Sequence, residues 1–231
     1  MRDQPPQQAP PVQRLRVRYA KRGRLRFTSH RDFARAFERA LVRAAIPMAY
    51  SSGFNPHPRI SYAGASPTGA ASEAEYLEIG LSRRTDPDDV RRDLDAAMPD
   101  GLDVVTVTES SGEALADRLT ASRWRVDTEA DPAALAEAVR VFLATRSVLV
   151  ERMTKKGVRE FDARAAVHSL EADGASLDLV LHHGVPSVRP DDVLTGLRCV
   201  SDVKMPGAPL LTRTHQGLLD PVSGQLADPL G

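Results

Sequence analysis

The sequence predicts an α+β protein made of two tandem ferredoxin-like (split βαβ) domains. Three observations support this fold class. The chain has 231 residues, which is enough for two small domains with cores of their own. Hydrophobic periodicity in the first half gives the order strand, helix, strand, strand, helix, strand, which is the ferredoxin-like order. The second half repeats this order with insertions, and one larger mixed domain is the alternative interpretation.

The elements of the first half follow from local patterns. Residues 14–20 alternate polar and apolar side chains, which is typical of a half-buried strand. A helix is predicted from His30 to Ala45, because Ser29 can cap its N-terminus and Pro47 ends it. The remaining elements are predicted as strands at 59–63 and 75–81, a helix at 86–97 and a strand at 102–108.

The elements of the second half follow in the same order. A strand at 123–128 leads into a helix at 132–144, whose Pro132 suits a first helical turn. The later elements are predicted as strands at 147–153, 165–170 and 177–182, a short helix at 190–197 and a final strand at 199–205.

Composition gives the domain boundaries. Residues 1–12 are rich in Pro and Gln and have little to bury, so they predict a flexible leader. We expect an N-terminal ferredoxin-like domain at 13–112 and a C-terminal one at 120–206. Residues 207–231 scatter Pro, Gly and Asp among single leucines without a period, which predicts a loose tail.

Several classes of protein are excluded by composition. A single cysteine, Cys199, forms no intramolecular disulfide and supplies too few thiolates for an iron–sulfur cluster or a cysteine-type zinc site. No apolar run approaches the roughly 20 residues that span a bilayer, and the N-terminus lacks the apolar segment of a signal peptide. We therefore expect a cytoplasmic protein with no cofactor and no metal site.

The charges are unevenly distributed although they sum to zero. Residues 1–62 carry thirteen Lys and Arg against three Asp and Glu, a net charge of +10. Residues 63–119 carry five against thirteen, a net charge of −8, and the remainder has thirteen against fifteen, a net charge of −2. This asymmetry indicates a charged partner for the first segment.

An arginine row on the first predicted helix is the strongest candidate site. Arg31, Arg35, Arg39 and Arg43 recur every four residues, on the side away from the apolar positions that begin with Phe33. The planar guanidinium group of arginine suits the binding of phosphate groups. The predicted nucleic-acid-binding residues are Arg16, Arg18, Lys21, Arg22, Arg24, Arg26, Arg31, Arg35, Arg39, Arg43, Phe54, Asn55 and Arg59. In the alternative, the arginines pair with the acidic segment, including Asp88, Asp89, Asp93 and Asp95.

His57 in the loop at 51–63, together with Tyr50 and His30 outside it, supplies the candidate catalytic residues. Prolines flank His57, and Tyr50 and Phe54 bring aromatic surface beside it, which suits base stacking or a small-molecule pocket. His30 lies in the first turn of the helix, where the helix dipole favours a neutral, basic imidazole. His30, His57 and Tyr50 are therefore the candidates for general acid–base catalysis, and a plain structural turn with a surface histidine is the alternative.

The run from Lys21 to Ala63, followed by the letters SEAEYLEI, resembles the radical-SAM-linked proteins, an uncharacterised bacterial family. The resemblance is specific over about 14–82 and weaker over 156–164 and 188–194. It implies a protein encoded beside, or fused to, a radical SAM enzyme of the cobalamin-binding type. Because the chain lacks cluster-binding cysteines, it implies the companion of that enzyme, and the family has no established catalytic residues to transfer.

Three hypotheses about function follow. The leading one is a non-catalytic companion of a radical SAM enzyme that binds RNA or presents a substrate in tRNA or rRNA modification. The second is a metal-independent endoribonuclease that uses His30 and His57. The third is a protein-interaction module whose basic face docks on an acidic partner. The sequence leaves the oligomeric state and the identity of the RNA open.

Overall fold

The structure is a computed structural model that describes residues 7–154 and 157–231. It divides into two compact units, Met1–Asp117 with Leu230–Gly231, and Arg118–Pro229. Helices and antiparallel strands occur in both units, so the predicted α+β class is confirmed. The first six residues of the predicted leader lie outside the described residues. Among residues 7–154 and 157–231, no helix is long and apolar enough to cross a bilayer.

Unit 1 has the predicted order of six main elements. They are β1 (Gln13–Lys21), α1 (His30–Arg43), β2 (Ile60–Ala63), β3 (Ala71–Leu81), α2 (Pro87–Ala97) and β4 (Val104–Glu109). A short 3-10 helix at Gly23–Phe27 follows β1. The strands pair antiparallel in the order β4, β1, β3, β2, so β1 and β3 are the central strands.

Helix α1 forms where the sequence predicts it and for the predicted reasons. The Ser29 hydroxyl accepts a hydrogen bond from the Asp32 backbone N–H at 3.2 Å, which caps the helix. Phe33 and Phe37 are buried, and the Phe33 ring stacks on Tyr19 of β1 with 4.2 Å between centroids. Because one face of α1 is fixed in the core in this way, the opposite face points to solvent.

In unit 2, the residues that the structure describes form two further α-helices and seven strands. They are β5 (Ala121–Asp127), α3 (Pro132–Ala144), β6 (Leu149–Thr154), β7 (Gly157–Asp162), β8 (Val167–Asp173), β9 (Ser176–His182), α4 (Pro190–Val200), β10 (Leu210–Leu219) and β11 (Leu226–Ala227). The main strands pair antiparallel in the order β10, β5, β9, β8. Strands β6 and β7 form a separate hairpin, and β11 pairs with β10.

Two predictions about the C-terminal part are wrong. The segment at 207–231 contains β10, which pairs with β5 from Leu210 to Gly217, so it is not a loose tail. The predicted strand at 199–205 does not form, because α4 continues to Val200 and residues 201–209 adopt neither helix nor strand. Strand β10 buries Arg213 and Gln216, polar residues that interrupt the apolar alternation by which strands are recognised in a sequence.

Candidate nucleic-acid interface

The outer face of α1 presents cations without partners. Arg31, Arg35 and Arg39 are exposed, and none of them forms an ion pair or a side-chain hydrogen bond with a residue that the structure describes. Arg43 is also exposed and donates a hydrogen bond from Nη1 to the Ala97 carbonyl at 3.1 Å. Since an α-helix rises 1.5 Å per residue, successive arginines of the row lie about 6 Å apart along the axis.

The acidic residues of α2 do not neutralise this row. Asp89 and Asp93 both pair with Arg92 of the same helix, at 2.8 and 3.1 Å. The Asp95 carboxylate accepts a hydrogen bond from the Val104 backbone at 2.7 Å. The alternative in which the arginines of α1 pair with the acidic segment is therefore not what the described part of the chain contains.

Residues Arg16 and Lys21 lie inside unit 1, so the prediction that they belong to an exposed basic surface is wrong. Arg16 has no exposed surface, and its Nη2 donates to the Glu113 carbonyl at 2.7 Å. Lys21 is buried with Nζ 3.3 Å from the Pro67 carbonyl. The physical reason is that the segments containing Glu113 and Pro67 lie over these two side chains, so the second face of β1 is covered at these positions as well.

Two further predicted phosphate ligands already have internal partners. Arg18 donates from Nε to the Glu73 carbonyl at 2.8 Å. Arg22 forms ion pairs with the carboxylates of Glu73, at 2.5 Å, and Asp103, at 2.7 Å. The hydrogen bond to Glu73 raises the pKa of the Arg22 guanidinium above its ordinary value, and the nearby negative charges add to this effect. These arginines hold β1 to its neighbours.

The 3-10 helix after β1 adds one exposed and one half-buried cation. Arg24 is exposed and forms no ion pair among the residues described. Arg26 is half-buried, and its guanidinium lies 4.5 Å from the centroid of the exposed Phe27 ring. We use the name arginine surface for the exposed Arg24, Arg31, Arg35, Arg39 and Arg43 together with the half-buried Arg26.

The loop that carries Phe54 and Asn55 is closed by its own hydrogen bonds. The Ser51 N–H donates to the His57 carbonyl at 2.8 Å, and the His57 N–H donates to the Ser51 hydroxyl at 3.0 Å. Gly53 has a φ of 124°, which a side chain disfavours. Phe54, at the tip, is 67% exposed, and Asn55 beside it is exposed. The loop therefore presents both side chains to solvent on a fixed backbone.

Arg59 belongs to the base of this loop. Its Nε donates to the Tyr50 carbonyl at 3.2 Å, and its backbone N–H donates to the Ala49 carbonyl at 2.8 Å. Arg59 also lines a small cleft of about 310 Å³ together with His57 and Arg14. It is thus a positioned cation beside the loop and separate from the arginine row of α1.

A cleft of about 520 Å³ lies between the last turns of α1 and the connection that follows it. We call it the α1 cleft. Its walls are Glu38, Leu41 and Val42 from the helix, and residues of the segment 45–58, including Tyr50 and His57. At the helix it adjoins an open depression formed by Arg35, Glu38, Arg39 and Val42. The α1 cleft is therefore continuous with the arginine surface.

The three candidate catalytic side chains are not brought into one site. Tyr50 and His57 share the α1 cleft, whereas His30 packs edge-on against the Tyr62 ring with 4.8 Å between centroids. Burial, and to a smaller extent the Glu38 carboxylate, raise the pKa of Tyr62 to about 12, so its phenol is protonated near neutral pH. The described residues thus contain no contact between His30 and His57 that joins an acid to a base.

Unit 2 has a polar cleft of about 400 Å³ that no motif in the sequence predicts. Arg123 of β5 pairs with Asp178 of β9 at 2.9 Å, and His168 and His215 also line the cleft. These residues come from four strands, so no local motif marks them. Among the residues that the structure describes, no group of three or more His, Cys, Asp or Glu side chains is placed to hold a metal ion.

The fold and the surface together define a two-unit α+β protein with an unpaired basic helix face. A family model described as "Uncharacterized protein conserved in bacteria (DUF2344)" matches residues 14–190. The chain therefore belongs to this uncharacterised bacterial family.

Comparison with other proteins gives little beyond the family. No curated protein matches the chain. Among solved structures, an unknown protein from Galdieria sulphuraria is similar, with 15% sequence identity and a TM-score of 0.27, over 87% of this chain and 98% of that one.

Proposed function

We propose that the protein is a non-catalytic companion of a radical SAM enzyme, and that it binds RNA or presents an RNA substrate in tRNA or rRNA modification. The observation that carries this proposal is the arginine row of α1. Arg31, Arg35 and Arg39 are exposed together and have no ionic partner among the described residues. A polyanion is the ligand that such a row binds best.

The energetics of the helix support an external partner for these cations. Like charges four residues apart destabilise a helix by about 0.2 to 0.5 kcal/mol per pair. The acids of α1 offset this repulsion little. Asp32 accepts a hydrogen bond from the Ser29 hydroxyl at 2.6 Å, and Glu38 forms no ion pair with an arginine that the structure describes. Binding phosphates removes the repulsion and releases condensed counterions from the RNA.

The architecture proposed for both units is ferredoxin-like. In unit 1 the strand order is β4, β1, β3, β2, so the last strand lies beside the first and the second lies at the far edge. In unit 2 the order is β10, β5, β9, β8, which is the same arrangement when the β6–β7 hairpin is not counted. All of these pairings are antiparallel, as in a split βαβ sandwich. In such a fold, helices cover one face of the sheet, and the solvent side of a helix remains available for a ligand.

The proposed partner is a radical SAM enzyme in the cytoplasm. The support is the resemblance described above, which is strongest over the segment that contains α1 and the loop at 51–63. The single cysteine supports a companion role, because the chain has too few thiolates to hold a cluster of its own. Docking on the enzyme places the arginine surface near the RNA that the enzyme modifies.

The test is the salt dependence of binding to total tRNA. We expect log K to fall steeply with log salt for the wild-type protein. Replacing Arg31, Arg35 and Arg39 by Gln should reduce the steepness of that slope by about 2, at about 0.7 for each lost contact with a single strand. A matched control replaces Arg83, Arg140 and Arg198, three exposed arginines outside α1, by Gln.

Two results contradict the proposal. The first is that wild-type protein binds no tRNA at low salt. The second is that the α1 variant and the control variant bind tRNA with the same affinity and the same slope. If binding is absent while a protein partner still co-purifies after nuclease treatment, the basic face contacts protein instead.

A further inference from the structure

Exposed apolar residues lie beside the arginine surface, and phosphate binding gives them no role. Val42 is 75% exposed and Tyr50 is 42% exposed, and both border the α1 cleft. Contiguous apolar surface open to solvent marks a binding site more often than a random patch does. Here it adjoins unpaired cations, so one ligand with an apolar face and a negative charge can contact both.

The cleft has fixed walls. The helix ends in a turn in which Ala45 has a φ of 52° and its N–H donates to the Val42 carbonyl at 3.1 Å. The opposite wall is the closed loop, with an isolated bridge between Tyr50 and Pro58. A volume of about 520 Å³ lies within the usual range for small-ligand sites. A single nucleobase with its sugar fits this size class.

We propose that the α1 cleft binds one unpaired base of a single-stranded RNA, with the adjoining phosphates on Arg35 and Arg39. This inference rests on the proposed function and specifies the form of RNA that is recognised. The Tyr50 ring supplies a stacking surface, since base–aromatic stacking tolerates any base. The Glu38 carboxylate supplies an acceptor for an N–H group on the edge of the base.

The charges select a nucleic acid over an apolar peptide as the occupant. Arg35 and Arg39 flank Val42 in the depression next to the cleft, and Glu38 is the acid between them. An apolar peptide leaves these two cations without a partner, whereas a nucleotide places its phosphate where the cations lie. A base in a duplex has to leave its stack first, which costs a few kcal/mol.

The test compares a fluorescein-labelled single-stranded RNA of about 12 nucleotides with the same strand in a duplex, by fluorescence anisotropy. We expect the wild-type protein to bind the single strand more tightly. Tyr50→Ala and Val42→Ser should each lower the affinity for the single strand, by about fivefold or more for Tyr50→Ala. Affinity for the duplex should stay within about twofold, and the salt slope should not change, because no phosphate contact is lost.

Val42→Ser keeps the test decisive if Tyr50→Ala fails to fold, because Val42 is 75% exposed. Val222→Ser, at a valine that is 94% exposed in unit 2, is the matched control and should bind like the wild type.

Three results overturn the inference. Equal affinity for single strand and duplex, with the arginine dependence retained, removes the base site and leaves the proposed function standing. If the protein binds neither the single strand nor the duplex, both the base site and the proposed function are refuted. In the third result, Val42→Ser binds the single strand as tightly as the wild type but no longer co-purifies with a protein partner that the wild type retains after nuclease treatment. The cleft then binds a protein segment.

Discussion

Replacing Arg16 by Met should lower stability and leave RNA affinity unchanged. Arg16 is fully buried, its Nη2 donates to the Glu113 carbonyl at 2.7 Å, and its Nε lies 3.8 Å from a Glu78 carboxylate oxygen. A charge-assisted hydrogen bond contributes about 1.5 to 3 kcal/mol. Glu78 keeps other partners, since Arg14 Nη1 lies 3.2 Å from it and the Ser110 hydroxyl donates to it at 2.7 Å.

The expected loss in the free energy of unfolding is therefore about 2 to 3 kcal/mol. This loss is smaller than that for a buried ion pair whose remaining charge has no partner, because Glu78 keeps Arg14 and Ser110. With a urea m-value of about 1 to 3 kcal/mol/M, the unfolding midpoint should fall by roughly 0.7 to 3 M. Far-UV circular dichroism is the suitable signal, because it reports on the helices and strands of unit 1, whereas the single tryptophan, Trp124, lies in unit 2.

Arg14→Met is the control for this prediction. Arg14 lies on the same strand and pairs with the same Glu78, but its side chain is 60% exposed, so its loss should cost about 1 kcal/mol or less. The reasoning is refuted if Arg16→Met is as stable as the wild type, or if it weakens tRNA binding and flattens the salt slope as a phosphate ligand does.

Two further predictions concern the stability of each unit. Phe37→Ala should destabilise unit 1 by about 3 to 5 kcal/mol, because Phe37 is fully buried beside Phe33, and calorimetry should show a lower Tm. In unit 2, burial lowers the pKa of His183, whose Nε2 lies 2.9 Å from the Ser122 hydroxyl. Its folded pKa is thus below the unfolded value of about 6.5, so its contribution to stability is present above about pH 6.5 and is lost as the pH falls below that value. Urea midpoints between about pH 7.5 and about pH 5.5 should fall less in His183→Gln than in the wild type, and an equal fall in both contradicts this.

Much of the fold is predictable because hydrophobic periodicity decides which face of an element is buried. For α1, the apolar positions and the cap at Ser29 place the arginines outward, as the structure has them. In β1, a period of two identifies one buried face but does not show that the other face is covered as well. Contacts with distant segments settle that question, since Arg16 lies opposite Glu78 on β3 and donates a hydrogen bond to the Glu113 carbonyl, and such contacts are not visible in either segment alone.

Strand β10 is not predicted by the sequence pattern for a different reason. Arg213 and Gln216 of β10 are buried, and the Arg213 guanidinium donates to the Gln216 side chain and lies 5.6 Å from the Trp124 ring centroid. Buried polar groups are tolerated when they are hydrogen-bonded, and that compensation depends on contacts made after folding. For the same reason, the sequence places His30 and His57 in one candidate site, whereas the structure gives them different neighbours.

The ion pairs of Asp89 and Asp93 with Arg92 have a consequence for the charge of the surface. One guanidinium balances only one of the two carboxylates, so this cluster keeps a net charge of −1, and neither acid is paired with an arginine of α1. The exposed Arg31, Arg35 and Arg39 therefore remain a local concentration of positive charge in a protein whose formal net charge is zero. Under the proposed function, the attraction of this row to a polyanion acts within a Debye length of about 10 Å at 0.1 M salt, so raising the ionic strength should slow association.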